Sequence, residues 1–139
     1  MTRRRYRLLP HTADLLVEVC GSDLASLIET AAEAIFSLLT DRRRVRPTGR
    51  RVVVIPPGPP EEQLLLALRR SLALFDADRF LARSASATME SGSVTLTLAG
   101  EPADPSRHAA FREIKAVTRH ALSARRDAGG WTARFLVDV

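Results

Sequence analysis

Apolar residues recur at helical spacing after residue 23. They lie three or four positions apart, as one face of an α-helix requires, at Leu24, Leu27, Ile28, Ala31, Ile35, Leu38 and Leu39. Asp23 directly precedes this run. Its carboxylate is suited to accept hydrogen bonds from the first free amides of a helix. The pattern predicts a first helix with one continuous buried face.

A second helical pattern follows a proline-rich connector at residues 56–60. Glu61 and Glu62 put negative charge at the helix start, where the helix dipole favours it. Apolar residues then follow one face, at Leu64, Leu65, Leu68, Leu72 and Phe75. We expect this helix to end near Asp76.

The other apolar runs are short and typical of strands. They are residues 6–9, 15–19, 52–55, 84–90, 93–98 and 131–137, with a hairpin turn about Ser91 and Gly92. We expect Cys20, beside the second run, to be a small core residue. Residues 10–14 are expected to form a polar corner, and the basic stretch through Arg51 a loop before a buried strand at residues 52–55.

Residues 113–122 fit two patterns. Their β-branched content and the Gly-rich turn that follows favour a strand, although Ile114, Val117 and Ala121 could also share a helical face. If the segment is a strand, Lys115 shares a face with Val117, because side chains alternate along a strand.

Two helices among six or seven strands, joined mostly by short turns, predict an α+β fold. We expect a single compact domain spanning residues 1–139, with a mainly antiparallel β-sheet and two principal helices packed on it. No apolar run is long enough to span a membrane. The basic N-terminus lacks the apolar stretch of a secretion signal, and one cysteine fits a reducing compartment. We therefore expect a cytoplasmic protein.

The formal charge of +5 favours contact with an acidic partner, either nucleic acid or an acidic protein surface. Most of the positive charge comes from arginine clusters, at residues 3–7, 42–46, 50–51, 69–70 and 125–126. Few aromatic residues separate them, whereas binders of single-stranded nucleic acid usually combine such charge with stacking rings. A tRNA contact through these clusters and a solvated arginine-rich surface both remain open.

Lys115 is the only lysine among 21 basic residues. Its ammonium is a compact charge that can sit beside a phosphate, whereas the guanidinium of arginine is a planar fork. Lys115 is therefore a candidate for chemistry that arginine cannot perform.

Asp14 and Asp138 lie at the ends of predicted strands, and the terminal carboxylate of Val139 adds another anionic oxygen. Hard cations such as calcium prefer oxygen ligands of this kind. The sequence contains no zinc motif, no Gly-rich phosphate loop and no nucleophile elbow. Taken alone, an aspartate at a turn or a chain end is far more often a cap or a solvated charge than a metal ligand.

Together, several segments resemble the archease family in their order and spacing. They are His11-Thr12-Ala13-Asp14, Gly21-Ser22-Asp23-Leu24, Gly100-Glu101, residues 113–120 and the ending Phe135-Leu136-Val137-Asp138-Val139. The resemblance runs from about Tyr6 to Val139.

The resemblance implies a protein cofactor of the RtcB-type RNA ligase, which joins RNA ends in tRNA splicing and RNA repair. Archeases are not thought to join RNA themselves; they promote guanylylation of the ligase's active-site histidine and sustain multiple turnover. Carried over by position, the family's site for calcium or another divalent cation falls on Asp14, Asp138 and Val139. Its functional lysine falls on Lys115.

The sequence departs from the family pattern in the second helix. Archeases commonly have Trp-Leu-Asn-Glu where this chain has Ala67-Leu68-Arg69-Arg70, so an acidic position has become basic. Leu15-Leu16 also replaces a glycine often found after the HTAD motif. The metal and lysine positions are retained, but partner contacts through the second helix are not implied.

Two other function classes remain open on the sequence. The arginine clusters would suit a basic RNA-binding or chaperone-like module without metal dependence. Asp14 and Asp138 could alternatively centre a metal-dependent hydrolase, although no base or further ligand is evident.

Overall fold

The computed structural model describes residues 6–9 and 14–139. The elements follow one another along the chain as β1 (Tyr6–Leu9), β2 (Leu15–Gly21), α1 (Leu24–Leu39), a 3-10 turn (Arg42–Arg44), β3 (Gly49–Ile55), α2 (Pro60–Asp78), β4 (Phe80–Glu90), β5 (Ser93–Pro102), β6 (Ala116–Asp127) and β7 (Gly130–Asp138). The predicted polar corner lies largely outside the described residues, which leave out residues 10–13.

Both predicted helices are present. Asp23 caps α1 by accepting a hydrogen bond from the Ser26 amide at 2.7 Å, and the predicted apolar face of α1 is buried. Helix α2 begins at Pro60, where the fixed φ of proline suits a first helical position. It ends at Asp78, two residues beyond the prediction, and Arg79 closes it in the left-handed conformation with φ 57°. Neither helix is long and apolar enough to cross a membrane.

The strands form two antiparallel sheets. The four-stranded sheet has the order β1-β2-β7-β6, and the three-stranded sheet has the order β3-β5-β4. Helix α1 packs against β2 and β4, one strand from each sheet, and α2 packs mainly against β6 and α1. The predicted α+β fold is confirmed, with its strands divided between two sheets around one core.

The β4–β5 hairpin turns at Ser91 and Gly92, as predicted. Both residues have positive φ, 52° and 80°. Two successive positive φ values match the right-handed twist of the flanking strands, which explains why a Ser-Gly pair closes this hairpin.

Two predictions about strand burial are wrong. The basic stretch enters β3 already at Gly49, and this edge strand is buried on one face only. Val52 and Val54 are 62% and 56% exposed, whereas Val53 and Ile55 are buried, because alternate side chains of a strand point to opposite faces. By the same alternation Cys20 is exposed, next to buried Val19, rather than part of the core.

Candidate functional site

One end of the four-stranded sheet brings together three segments that are remote in sequence. Strand β2 begins there, β7 ends there, and β6 begins there. Leu15 pairs with Val137, and Ala116 pairs with Asp138 on the other side of the same central strand. The Lys115 amide also donates a hydrogen bond to the Asp138 carbonyl at 2.8 Å. The backbone thus sets Asp14, Lys115 and Asp138 around one sheet end.

Asp14 and Asp138 are related by the register of β2 and β7. Leu15, the first residue of β2, lies opposite Val137. Asp14 directly precedes Leu15 and Asp138 directly follows Val137, so the backbones of the two aspartates lie at the same end of this strand pair. Both aspartates are half-buried, and Val139 is 37% exposed. Water can therefore reach this end of the sheet.

Lys115 lies directly before β6 and is exposed. Its neighbours Ile114 and Val117 are buried. The predicted shared face for Lys115 and Val117 is therefore wrong, because the alternation of β6 begins only at Ala116. Two buried side chains flank the lysine and anchor its backbone in the core, while its own side chain extends into solvent.

Helix α2 secures the start of β6 from outside the sheet. Arg69 Nε donates to the Val117 carbonyl at 3.1 Å, and Arg119 forms an ion pair with Glu62. Arg69 occupies the stretch where the sequence departs from the archease pattern. Sequence reasoning identified that departure but not its structural role, because the contact joins residues 48 positions apart.

The donors at this sheet end are suited to a hard cation. Asp14 and Asp138 offer carboxylate oxygens and Val139 a main-chain oxygen, and calcium accepts six to eight oxygen ligands, including water. Within residues 6–9 and 14–139, no three His, Cys, Asp or Glu side chains are gathered closely enough to hold a metal ion. The fit therefore rests on two side-chain carboxylates, an oxygen of Val139 and access for water. His11, which belongs to the HTAD motif, lies outside the described residues.

A second polar cluster surrounds Glu101, which is buried at the end of β5. Its carboxylate accepts two hydrogen bonds from Arg107, at 2.6 and 3.0 Å, one from the Arg46 amide at 2.7 Å and one from His108 Nε2 at 3.0 Å. His108 Nδ1 accepts from the Asp104 amide at 2.9 Å, so Nε2 carries the proton that is donated to Glu101. Chiefly through Arg107, these bonds lower the pKa of Glu101 from 4.5 to about 2 despite burial.

This cluster ties β5 to the basic turn after α1 and to the segment before β6. Sequence reasoning quoted Glu101 only as part of a motif. Its partner His108 is buried as well. The available sequence signal was an acid next to a glycine, Gly100-Glu101, in a strand that otherwise alternates apolar residues.

A cleft of about 660 Å³ lies between the C-terminal ends of the two helices and the segment leading to Lys115. Its lining includes Phe75, Arg79, Arg112 and Glu113. The cleft is therefore both apolar and charged, and its lining extends to Ile114, the residue directly before Lys115.

The sequence matches the Archease protein family over residues 6–139. Among relatives named Protein archease, that of Methanosarcina acetivorans is 32% identical, over 98% of this chain and 97% of its own length. That of Aeropyrum pernix is 32% identical over 93% of each chain. That of Methanosarcina mazei is 30% identical over 98% and 97%.

Two solved structures share the fold. The solution structure of protein 1598 from Methanobacterium thermoautotrophicum has a TM-score of 0.85 and 26% identity, over 99% of this chain and 100% of that one. A crystal structure from Thermotoga maritima, described as an archease and possible chaperone, has a TM-score of 0.71 and 18% identity over 94% of each chain. With a family match that spans almost the whole sequence, this chain belongs to the archease family.

Proposed function

We propose that this protein activates an RtcB-type RNA ligase by promoting guanylylation of the ligase's active-site histidine. The observation that carries the proposal is the meeting of the Asp14, Lys115 and Asp138 segments at one water-accessible end of the sheet. An accessory protein that acts on another enzyme's nucleotide needs its charged groups at an exposed edge. Through this activity it would sustain multiple turnover in tRNA splicing and RNA repair.

Asp14 and Asp138, with an oxygen of Val139, would hold calcium or another divalent cation. A cation bound there supplies positive charge that can complement phosphate oxygens. The two carboxylates would fix its position relative to the backbone of β7. Their half-buried setting leaves room for water or for a partner's ligands.

Lys115 would contribute a mobile positive charge beside this centre. Its backbone is held by the hydrogen bond to Asp138 and by its buried neighbours, while its side chain is exposed. An ammonium next to a triphosphate stabilises charge that develops when a nucleophile attacks the α-phosphate. We infer that this face docks at the mouth of the ligase active site, in the cytoplasm.

The test is a guanylylation assay with a cognate RtcB-type ligase, GTP and divalent metal, with and without this protein. Lys115→Ala and Asp138→Ala are each expected to abolish the stimulation while the circular dichroism spectrum stays unchanged. Arg125→Ala is the matched control, because Arg125 is an exposed cation nearer the opposite end of β6. Full stimulation by both site variants would reject the proposal.

The same preparation tests the proposed accessory role. This protein alone is expected neither to join RNA ends nor to hydrolyse RNA or phosphate esters. Hydrolytic turnover that disappears in both Asp14→Ala and Asp138→Ala would instead identify a metal-dependent hydrolase.

A further inference from the structure

Several arginines gather where α1 ends, on what we term the α1-end basic surface. It consists of Arg42, Arg43, Arg44, Arg46, Arg83, Arg107 and Arg112. Hydrogen bonds between these residues join the surface across distant parts of the chain. Arg42 Nη1 donates to the Arg83 carbonyl at 2.6 Å, and Arg44 Nε donates to the Arg107 carbonyl at 3.1 Å.

Four of these guanidinium groups are fixed by carbonyl oxygens. Besides Arg42 and Arg44, Arg83 Nη1 donates to the carbonyls of Arg43 and Val45, at 2.7 and 3.1 Å. Arg112 Nη1 donates to the Leu38 carbonyl at 2.8 Å. A carbonyl bond restricts an arginine side chain without cancelling its charge. These cations are therefore held in position before any ligand arrives, which reduces the entropy cost of binding.

Most carboxylates near this surface already accept hydrogen bonds from particular partners. Glu101 is saturated by Arg107, the Arg46 amide and His108. Asp41 accepts two side-chain hydrogen bonds from Arg43, both at 3.0 Å. The Glu33 carboxylate is more distant, with Oε2 3.8 Å from Arg42 Nη1.

No ion pair engages Arg44, Arg46, Arg83 or Arg112 among residues 6–9 and 14–139. Some opposing charge is nonetheless present. The pKa of the Asp41 carboxyl group is lowered chiefly by the hydrogen bonds from Arg43, and the nearby charge of Arg44 lowers it further. Asp76 and Glu113 line the adjacent cleft. The surface thus carries a net excess of fixed positive charge, although some negative charge lies beside it.

An exposed aromatic ring adjoins this charge. Phe111 is 52% exposed, although its backbone is fixed by a hydrogen bond from its amide to the Leu39 carbonyl at 3.0 Å. It immediately precedes Arg112 and lies four residues before Lys115. An exposed ring on a fixed backbone beside fixed guanidinium groups is the combination that binds an unpaired base and its flanking phosphates.

We propose that the α1-end basic surface binds single-stranded RNA, with backbone phosphates on Arg44, Arg83 and Arg112 and a base stacked on Phe111. Guanidinium forks can contact phosphate oxygens bidentately. An acidic protein segment would also match the charge, but it would gain nothing specific from an exposed ring. This site extends the proposed function, because it would hold an RNA strand near the sheet end that acts on the ligase.

The experiment measures binding of the full chain to a fluorescent 12-nucleotide RNA across a salt series in EDTA. Arg44→Gln/Arg83→Gln is compared with Arg125→Gln/Arg126→Gln, which removes the same charge from the exposed β6–β7 hairpin. The first pair should weaken binding about tenfold at low salt and reduce the salt slope by about 1.4, the value for two lost phosphate contacts to a single strand. Phe111→Ala should weaken binding about tenfold with an unchanged slope.

Several results would overturn the inference. They are no RNA binding by the unaltered protein at low salt, equal losses in the two double variants, or capture of a poly-glutamate peptide where RNA does not bind. Guanylylation of the ligase in the absence of RNA separates this test from the proposed function. Arg44→Gln/Arg83→Gln should stimulate guanylylation fully, so loss of RNA binding alone cannot be mistaken for failure of the activator site.

Discussion

Glu101 shows how one buried carboxylate can hold three segments of chain in place. It accepts hydrogen bonds from Arg107, His108 and the backbone of Arg46, so β5, the basic turn and the segment before β6 meet at its two oxygens. Replacing a buried ionic acceptor by a neutral group weakens the charged partners' bonds and leaves their desolvation uncompensated. The arrangement makes Glu101 primarily a stabilising residue.

We predict that Glu101→Gln lowers the free energy of unfolding by about 2 kcal/mol at pH 7, measured by urea denaturation. The folded-state pKa near 2 lies below the ordinary value of 4.5. The contribution is therefore fully present above about pH 4.5 and is lost as the pH falls toward 2. The difference between variant and unaltered protein should shrink across that window. Glu90→Gln, at an exposed position of the hairpin, is the control, and a pH-independent difference would contradict the prediction.

At the scale of elements, side chains of α2 stabilise β6. Arg69 bonds the Val117 carbonyl, two residues after Lys115, and the Arg119–Glu62 pair lies further along the same strand. Because β6 is an edge strand of its sheet, it lacks a second strand to hold its outer side. Side chains of α2 supply those contacts instead.

Arg69→Met should therefore loosen the start of β6 without unfolding the protein. Loss of one hydrogen bond of about 1 kcal/mol should speed hydrogen exchange of the Lys115 amide about fivefold, as measured by NMR. Arg70→Met is the matched control, because Arg70 donates to the Val54 carbonyl on β3 in the other sheet. Equal acceleration of Lys115 amide exchange in both variants would show that the Arg69 contact does not stabilise the start of β6 specifically.

The pairing of β4 with β5 depends on a glycine at position 100. A Cβ atom at Gly100 would lie 1.9 Å from the Leu81 carbonyl oxygen and 2.8 Å from Ala82 Cα. The register of β4 shifts at this point, between Ala82 and Ser84. Backbone atoms of β4 therefore occupy the space that the Cβ of any other residue would need.

We expect Gly100→Ala to destabilise the protein by about 3 kcal/mol, the upper range for overpacking, or to prevent folding. Gly58→Ala provides the comparison, since no heavy atom lies within 4 Å of its added Cβ. Urea midpoints of the two variants provide the measurement. A small effect at Gly100 would mean that β4 and β5 can separate more easily than their packing suggests.

Sequence periodicity predicted these elements unevenly, for physical reasons. Both helices were predicted within a few residues, because their apolar faces repeat at 3.6 residues and because Asp23 and the Glu61-Glu62 pair indicate where they start. The half-buried edge strand β3 was predicted as buried, because exposed Val52 and Val54 have the same apolar character as buried Val53 and Ile55. The Arg69 contact and the Glu101 cluster could not be predicted, because each depends on tertiary pairing.

The candidate site was likewise predicted only in part. The resemblance to archeases selected Asp14, Lys115 and Asp138, while only the strand order β2-β7-β6 explains their proximity. The direction of Lys115 was misjudged, because the strand pattern was extended one residue beyond its actual start. The cation and the ligase remain predictions from the family resemblance and the donor chemistry.

At the scale of the whole molecule, the proposed cation site joins β7 to its neighbour β2. Strand β2 pairs with β7, and the proposed ligands Asp14 and Asp138 lie where β2 begins and β7 ends. A cation shared by Asp14 and Asp138 would cross-link segments that the unfolded chain keeps far apart. Binding to the folded state alone should therefore raise global stability and not merely order a loop.

We predict that calcium at 100 times its dissociation constant raises the free energy of unfolding by about 2.7 kcal/mol and that a chelator reverses the gain. Asp138→Asn should abolish the response, because it removes the anionic ligand on the central strand. Asp127→Asn should retain it, because Asp127 lies at the opposite end of β6 and its acceptor role toward the Gly129 amide can be taken by asparagine. A thermal or urea transition of the unaltered protein that is insensitive to calcium, magnesium and chelator would contradict the cation site. Stimulation of the ligase by that same calcium-insensitive protein would then assign the activity to Lys115 and the aspartates as charges in their own right.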